Sequence, residues 1–240
     1  MIIKNIFKIH LLYYIVGFIF FITGLFKEFI IFSSIIIVHE MGHIIAAIIC
    51  KWHIEKVILL PFGGLTIFKE PLNKPLKEEL FITIMGPLFQ IFFYFLIGDN
   101  NILFKQYNIA ILLFNLLPIC PLDGSKIINI VLNKCSSFKK SYNITIILSI
   151  ITLIICSYYF NLLFLTVLLF LLIETIKLFI KRKYYYNRFL LERYLYDFKF
   201  KKEKIINDIN KMAKEKKHLF YLAKKYYSEK EILTKMFDNR

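Results

Sequence analysis

Cysteine is scarce in this chain and follows no pattern. Its four copies, Cys50, Cys120, Cys135 and Cys156, form no C-x-x-C pair, and each sits in or beside an apolar segment. A thiolate zinc module and a disulfide framework are therefore excluded as organisers of the fold, and the cysteines read as reduced packing residues. Glycine (8) and proline (6) are also few, and no internal repeat or low-complexity linker is visible. Acidic residues number 17 against 32 lysines and arginines, a net charge of +15. Such a charge first suggests a nucleic-acid partner, but the polar content that such a binder needs is missing. Hydrophobic residues make up 58% of the chain and the mean hydropathy is +0.60, both above the usual soluble composition. A multi-span membrane protein whose lysines mark the loops on one side of the bilayer fits both facts. Its partner is then the lipid bilayer, not nucleic acid. No small-residue cleavage site follows the first apolar run, which reads as a retained anchor.

A bilayer crossing takes about 20 apolar helical residues. Candidate spans are 11–26, 29–50, 79–97, 106–132, 143–157 and 160–180. With the N-terminus in the cytosol, ten lysines fall in the inner loops and only Lys27 and Lys105 in the outer ones. That bias predicts six spans with both ends inside. Between the second and third spans, β-prone runs flank Pro61-Phe62-Gly63-Gly64, which predicts a hairpin or re-entrant loop. From residue 181 the chain is polar, tyrosine-rich and basic (18 basic and 8 acidic residues), with apolar residues at helical spacing. The expected fold is an all-α polytopic membrane protein, with about six transmembrane helices in residues 1–180 and a basic cytosolic helical tail over 181–240. The tail reads as a solvated positive flank, or as a surface for anionic lipid or an acidic partner.

Ionisable side chains are rare inside the apolar runs, which makes IIIVHEMGHIIAAII, residues 35–49, conspicuous. On a helix, His39 and His43 share one face, one turn apart, with Glu40 adjacent. Two imidazoles at this spacing can grip one zinc, and Glu40 can take a proton from water there. The same residues also suit a polar face inside a helix bundle, or a metal-ion or proton transporter. Zinc needs a third protein ligand and an open position. His10, His53 and His218 lie at or outside the spans, and Glu174 is spaced to pair with Lys177. Asp123 fits by depth. His39 precedes Lys51 by twelve positions and Asp123 precedes Lys134 by eleven, which sets both roughly 16–18 Å from the inner side. Pro118 and Pro121 break the helix before Asp123, and Gly124 follows it. Broken backbone at that depth is tolerated where it is buried in protein or lines a wet cavity. A structural aspartate at a proline kink is the alternative.

Supporting residues are weaker signals. Gln90, at the end of Met85-Gly86-Pro87-Leu88-Phe89-Gln90, offers an amide to an oxyanion, or the segment packs helices through Gly86. Asn115 is a buried amide placed to fix the bend from Pro118 to Asp123. Gly63 and Gly64 offer a strand edge that holds a substrate extended, or a plain turn.

HEMGH, LLPFGG, GPLFQ and NLLPICPLDG, in this order, resemble the site-2 protease family of intramembrane zinc metalloproteases. KPLKEE and RFLLERY narrow the resemblance to its sporulation stage IV FB group. The resemblance covers roughly residues 8–195. It implies a six-span core that hydrolyses a peptide bond within or beside the membrane. It also implies one zinc on His39, His43 and Asp123, with Glu40 as the base. For the sporulation group it implies a membrane-associated sigma-factor precursor, pro-sigma K, as substrate, and inhibitory membrane proteins as partners around the forespore. Self-association is a further candidate. Two departures stand out. Gln90 replaces an asparagine common in the family, and the residues after RFLLERY read as helices too few for a complete CBS domain.

Overall fold

The computed structural model describes residues 7–60, 63–97, 101–159, 162–200 and 202–238. Among these described residues, eight α-helices and six strands follow in order: β1 (Phe7–Ile9), α1 (Leu11–Ile22), α2 (Phe26–Ile49), β2 (Ile54–Leu60), β3 (Gly63–Phe68), α3 (Leu76–Ile97), α4 (Ile102–Asn115), α5 (Asp123–Cys135), α6 (Phe138–Tyr159), α7 (Leu162–Leu195), β4 (Lys202–Ile206), β5 (Lys216–Leu222), β6 (Lys225–Ser228) and α8 (Glu229–Asp238), with a 3-10 turn at Ile209–Lys211. Three of them, α2, α3 and α6 to Tyr158, are long and apolar enough to cross a bilayer, and α1 is a shorter apolar helix. Their outer faces carry Ile30, Ile37, Ile48, Phe92, Phe95 and Ile154, all exposed. Apolar surface in such amounts is stable only against lipid or another protein. This is an integral membrane protein.

The chain divides into two units. The first holds residues up to 70, 80–117 and 122–124. Its core joins Ile35 and Ile36 of α2 to Phe104 and Ile111 of α4. The expected hairpin is present: β2 pairs antiparallel with β3, from Ile54↔Phe68 to Leu60↔Gly63. Its tip, Pro61-Phe62, lies outside the described residues. A third strand, β1, adds in parallel to β2, Phe7↔Val57 to Ile9↔Leu59. Three residues before a helix give no periodic signal, so the sequence did not announce it.

The second unit holds 71–79, 118–121 and everything from 125. Here the helical tail expected from the sequence is corrected. Helix α7 runs on to Leu195, but β4, β5 and β6 then form a three-stranded sheet with β4 and β5 parallel. The misreading has two physical causes. The β4–β5 pairing is non-local, and the β5–β6 hairpin turns on Ala223 (φ 46°) and Lys224 (φ 63°). Left-handed turn positions normally announce themselves as glycine or asparagine.

A buried charged knot ties this sheet to α7 and to the loop before α3. The Arg193 guanidinium donates to Asn73 Oδ1 (2.6 Å), Ala213 O (2.8 Å), Lys216 O (2.9 Å) and Glu229 Oε1 (3.2 Å). Burial pushes the Glu229 carboxyl up, but the His218 hydrogen bond and the Arg193 charge outweigh it and hold the group below its ordinary value. With Arg193 cut back to leucine, the half-buried Glu229 loses its arginine partner, and Asn73, Ala213 and Lys216 each lose a donor; breaking such a pair is destabilising. Limited proteolysis of Arg193→Leu in detergent should release fragments from 196–238 that the unaltered protein resists.

Candidate metal centre

Three elements of the first unit build the site. Helix α2 places His39, Glu40 and His43, which are 1%, 3% and 5% exposed. Asp123, 4% exposed, is the first residue of α5. Its Oδ2 lies 3.0 Å from His39 Nε2 and 3.0 Å from His43 Nε2, and the two Nε2 atoms are 3.2 Å apart. Helix α3 supplies the backing. His39 Nδ1 faces Gln90 Oε1 at 2.9 Å, and His43 Nδ1 faces Ile82 O at 2.8 Å.

The partners set the tautomers. Gln90 Nε2 donates to Asn108 O (2.8 Å), so its Oε1 is the atom turned to His39. A carbonyl oxygen only accepts, so both Nδ1 atoms carry the proton and both Nε2 atoms present lone pairs. A carboxylate oxygen then completes a triangle of three acceptors with no proton among them. Buried acceptors so arranged repel one another unless a cation sits at their centre. Tetrahedral zinc at bond lengths of about 2.0–2.1 Å spaces its ligand atoms about 3.3 Å apart, close to these edges. Two imidazoles and one carboxylate are a donor set for zinc with an open position. His39, Glu40 and His43 also offer ligand atoms all within 4.8 Å of one another.

Glu40 is held differently. Its Oε2 accepts from Thr66 Oγ1 of β3 at 3.1 Å, while its Oε1 is buried with no hydrogen-bond partner among the described residues. An unsatisfied buried carboxylate oxygen is expensive, and such atoms mark places where chemistry happens. Glycines make this closeness possible. A Cβ at Gly64 would collide with the Glu40 carboxylate, one at Gly86 with the His43 ring, and one at Gly42 with the Met85 carbonyl. At Gly124 it would meet the Leu116 and Leu117 carbonyls, so the lack of a side chain lets the start of α5 pack against the end of α4.

The supporting residues sort out less evenly. Gln90 is fully buried; its Oε1 faces His39 Nδ1 and its Nε2 donates one of its two N–H groups to Asn108 O, so it backs a histidine. Asn115 donates to Ile111 O (3.1 Å), and a Cβ on Gly63 would lie 2.8 Å from its Oδ1; it faces the hairpin where the sequence pointed to the bend. Pro121 sits in the bend itself, after a cis peptide bond. Within the second unit, that bend is held by two buried hydroxyls. Ser149 Oγ accepts from Cys120 N (3.1 Å), and Thr175 Oγ1 donates to Cys120 O (3.1 Å). Thr66, Asn108, Ser149 and Thr175 were not legible from the sequence, because no spacing rule singles out a lone hydroxyl or amide. The other histidines have separate work. His10 caps α1 by accepting from Leu12 N, His53 pairs with Glu70, and His218 bonds to Glu229.

Outer-shell partners of metal-binding histidines typically govern metal affinity by about 10–100-fold. Gln90→Leu should therefore lower zinc affinity by about that factor, read by competition with a chromogenic chelator. An unchanged affinity would remove Gln90 from the site.

Comparison with known proteins places these features. The model of Peptidase family M50 matches residues 27–98. The chain is 33% identical over 196 residues to Stage IV sporulation protein FB of Bacillus subtilis, covering 72% of this chain and 66% of that protein. It is 31% identical over 133 residues to a zinc metalloprotease of Methanocaldococcus jannaschii, covering 48% of this chain and 37% of that one. Thus the chain spans about two thirds of the first relative's length and just over a third of the second's. The solved structure of a site-2 protease from Methanocaldococcus jannaschii superposes with a TM-score of 0.53 at 27% identity, over 74% of this chain and 92% of that one.

Proposed function

The chain belongs to peptidase family M50, and on that premise we propose that it is a zinc metalloendopeptidase of the site-2 protease type. It cuts a membrane-associated protein within or beside the bilayer. One observation carries the reading: three buried lone pairs converge beside a carboxylate oxygen that has no hydrogen-bond partner among the described residues. His39, His43 and Asp123 would hold the zinc, which when bound would supply Lewis acidity and make water easier to deprotonate. The remaining steps belong to the protein. Gln90 and the Ile82 carbonyl fix the two imidazoles, and Thr66 fixes Glu40 by one oxygen. Glu40 Oε1 takes the proton of the attacking water and returns it to the amide nitrogen as that leaves. Strand β3, at the edge of its sheet, holds the substrate extended by backbone pairing.

The architecture we infer is six crossings in residues 1–180, with α4 and α5 forming the broken fourth, and a tail from residue 181. Both ends lie in the cytosol, a placement supported by the ten inner lysines. The likeness to a sporulation protein supports a pro-sigma K-type precursor as client, with inhibitory membrane proteins as regulators in the membrane around a forespore. The test is co-expression with a tagged precursor of that type in a bacterial host, followed by immunoblotting. A shortened product that appears only with the unaltered chain, and disappears under a zinc chelator, is expected. Metal or proton flux in proteoliposomes without any cleavage would favour a transporter and overturn the reading.

A further inference from the structure

The second unit contains a cavity that the proteolytic site does not use. It has a volume of about 470 Å³ and lies between the first turns of α6 and the part of α7 that follows its apolar run. Ring contacts fix the two helices in antiparallel register there: Phe138 stacks on Phe189 at 4.3 Å between centroids, and Tyr142 lies 5.7 Å from Tyr185.

Its lining is cationic. Lys139, Arg182 and Lys183 all border it, with Asn187 and Tyr142 between them. Lys139 is partly engaged, since its Nζ donates to Asn210 Oδ1 at 2.7 Å and Asp208 acts on it electrostatically. Arg182 stacks on the Phe179 ring at 4.2 Å. Neither Arg182 nor Lys183 has a carboxylate partner among the described residues. The Tyr142 hydroxyl is buried and has no hydrogen-bond partner among them either. Two uncompensated cations and an unsatisfied phenol facing one cavity ask for an anion with several acceptor oxygens.

The cavity's place says where that anion comes from. Helix α6 has the length and composition of a membrane span from Phe138 onward, and the apolar run of α7 ends at Ile180, just before Lys181-Arg182-Lys183. The cavity therefore sits at the level where hydrocarbon gives way to headgroups, on the lysine-rich side. Basic pockets between transmembrane helices on that side are suited to anionic headgroups. We propose that this cavity binds the phosphate headgroup of an anionic phospholipid from the inner leaflet. Arg182 and Lys183 neutralise the phosphate, Tyr142 and Asn187 donate to its oxygens, and the Phe138 ring lies against the glycerol. The proposal rests on the reading that α6 and α7 cross the bilayer.

The experiment uses the full chain purified in detergent, with lipid retention read by native mass spectrometry. Phosphatidylglycerol should be retained over phosphatidylcholine. The double variant Arg182→Gln/Lys183→Gln should retain it about tenfold less or weaker still. Both side chains are exposed, so the variant should melt at the temperature of the unaltered protein in lipid-free detergent, which controls for folding. Equal retention by both proteins overturns the site. Displacement of the lipid by equimolar glycerol 3-phosphate would make the ligand a soluble phosphate and overturn the lipid as its source. The underlying reading is tested apart from this. If an alkaline carbonate wash strips the unaltered chain from membranes, the spanning helices fail. If the chain stays while the variant still holds its lipid, only the site fails.

Discussion

Glu40→Gln leaves zinc bound and abolishes peptide cleavage. The substitution keeps the volume of the side chain and an acceptor oxygen for Thr66, whose hydroxyl lies 3.1 Å from Glu40 Oε2. It touches none of the contacts among His39, His43 and Asp123. What it removes is basicity at the second oxygen, the buried Oε1, which has no hydrogen-bond partner among the described residues. General acid–base catalysis by one side chain contributes about 10²–10⁴-fold, and here one carboxylate serves both as base and as acid. A loss near the top of that range is expected. It is measured as product formed from a co-reconstituted substrate, with zinc counted by elemental analysis on the same sample. Activity within a few-fold of the unaltered protein would sink the assigned role. Loss of zinc together with activity would make Glu40 a ligand.

Asp123→Ala should empty the site of zinc. With the carboxylate gone, the two Nε2 lone pairs still face each other at 3.2 Å, but the donor set falls to two neutral nitrogens. Loss of an outer-shell partner costs about 10–100-fold in affinity, and loss of a ligand should exceed that range. The stoichiometry of zinc in purified protein should therefore fall well below one per chain, and cleavage with it. Glu174→Gln is the matched control. Its carboxylate pairs with Lys177 at 2.7 Å on the same helix, so zinc and activity should both persist. Full zinc in Asp123→Ala would show that the two histidines take their third ligand elsewhere.

The two histidines were legible because a helix brings i and i+4 together whatever surrounds it, and α2 runs unbroken through both. Asp123 was legible by a longer route. Two prolines and a glycine mark a bend, and counting residues to the nearest lysine sets its depth. The hairpin followed from turn residues between β-prone runs. Gln90 illustrates the limit. Its position could be flagged from sequence, but whether its oxygen faces an imidazole or its nitrogen faces a substrate depends on Asn108, 18 positions away on another helix.

Part of the local order, then, was the sequence's to determine: the helix that carries His39 and His43, the hairpin that follows it, and the bend before Asp123. Periodicity and turn chemistry act over a few residues and leave their mark in composition. The tertiary structure alone decided the rest. It selected Asp123 as the carboxylate that meets both imidazoles, and among the described residues it gave Thr66 one oxygen of Glu40 and no partner to the other. It turned the tail into a sheet and set cations around a cavity between α6 and α7. Each of these depends on contacts between residues distant in the chain. Such contacts form only when the packed whole offsets their entropy, so no short stretch of sequence records them.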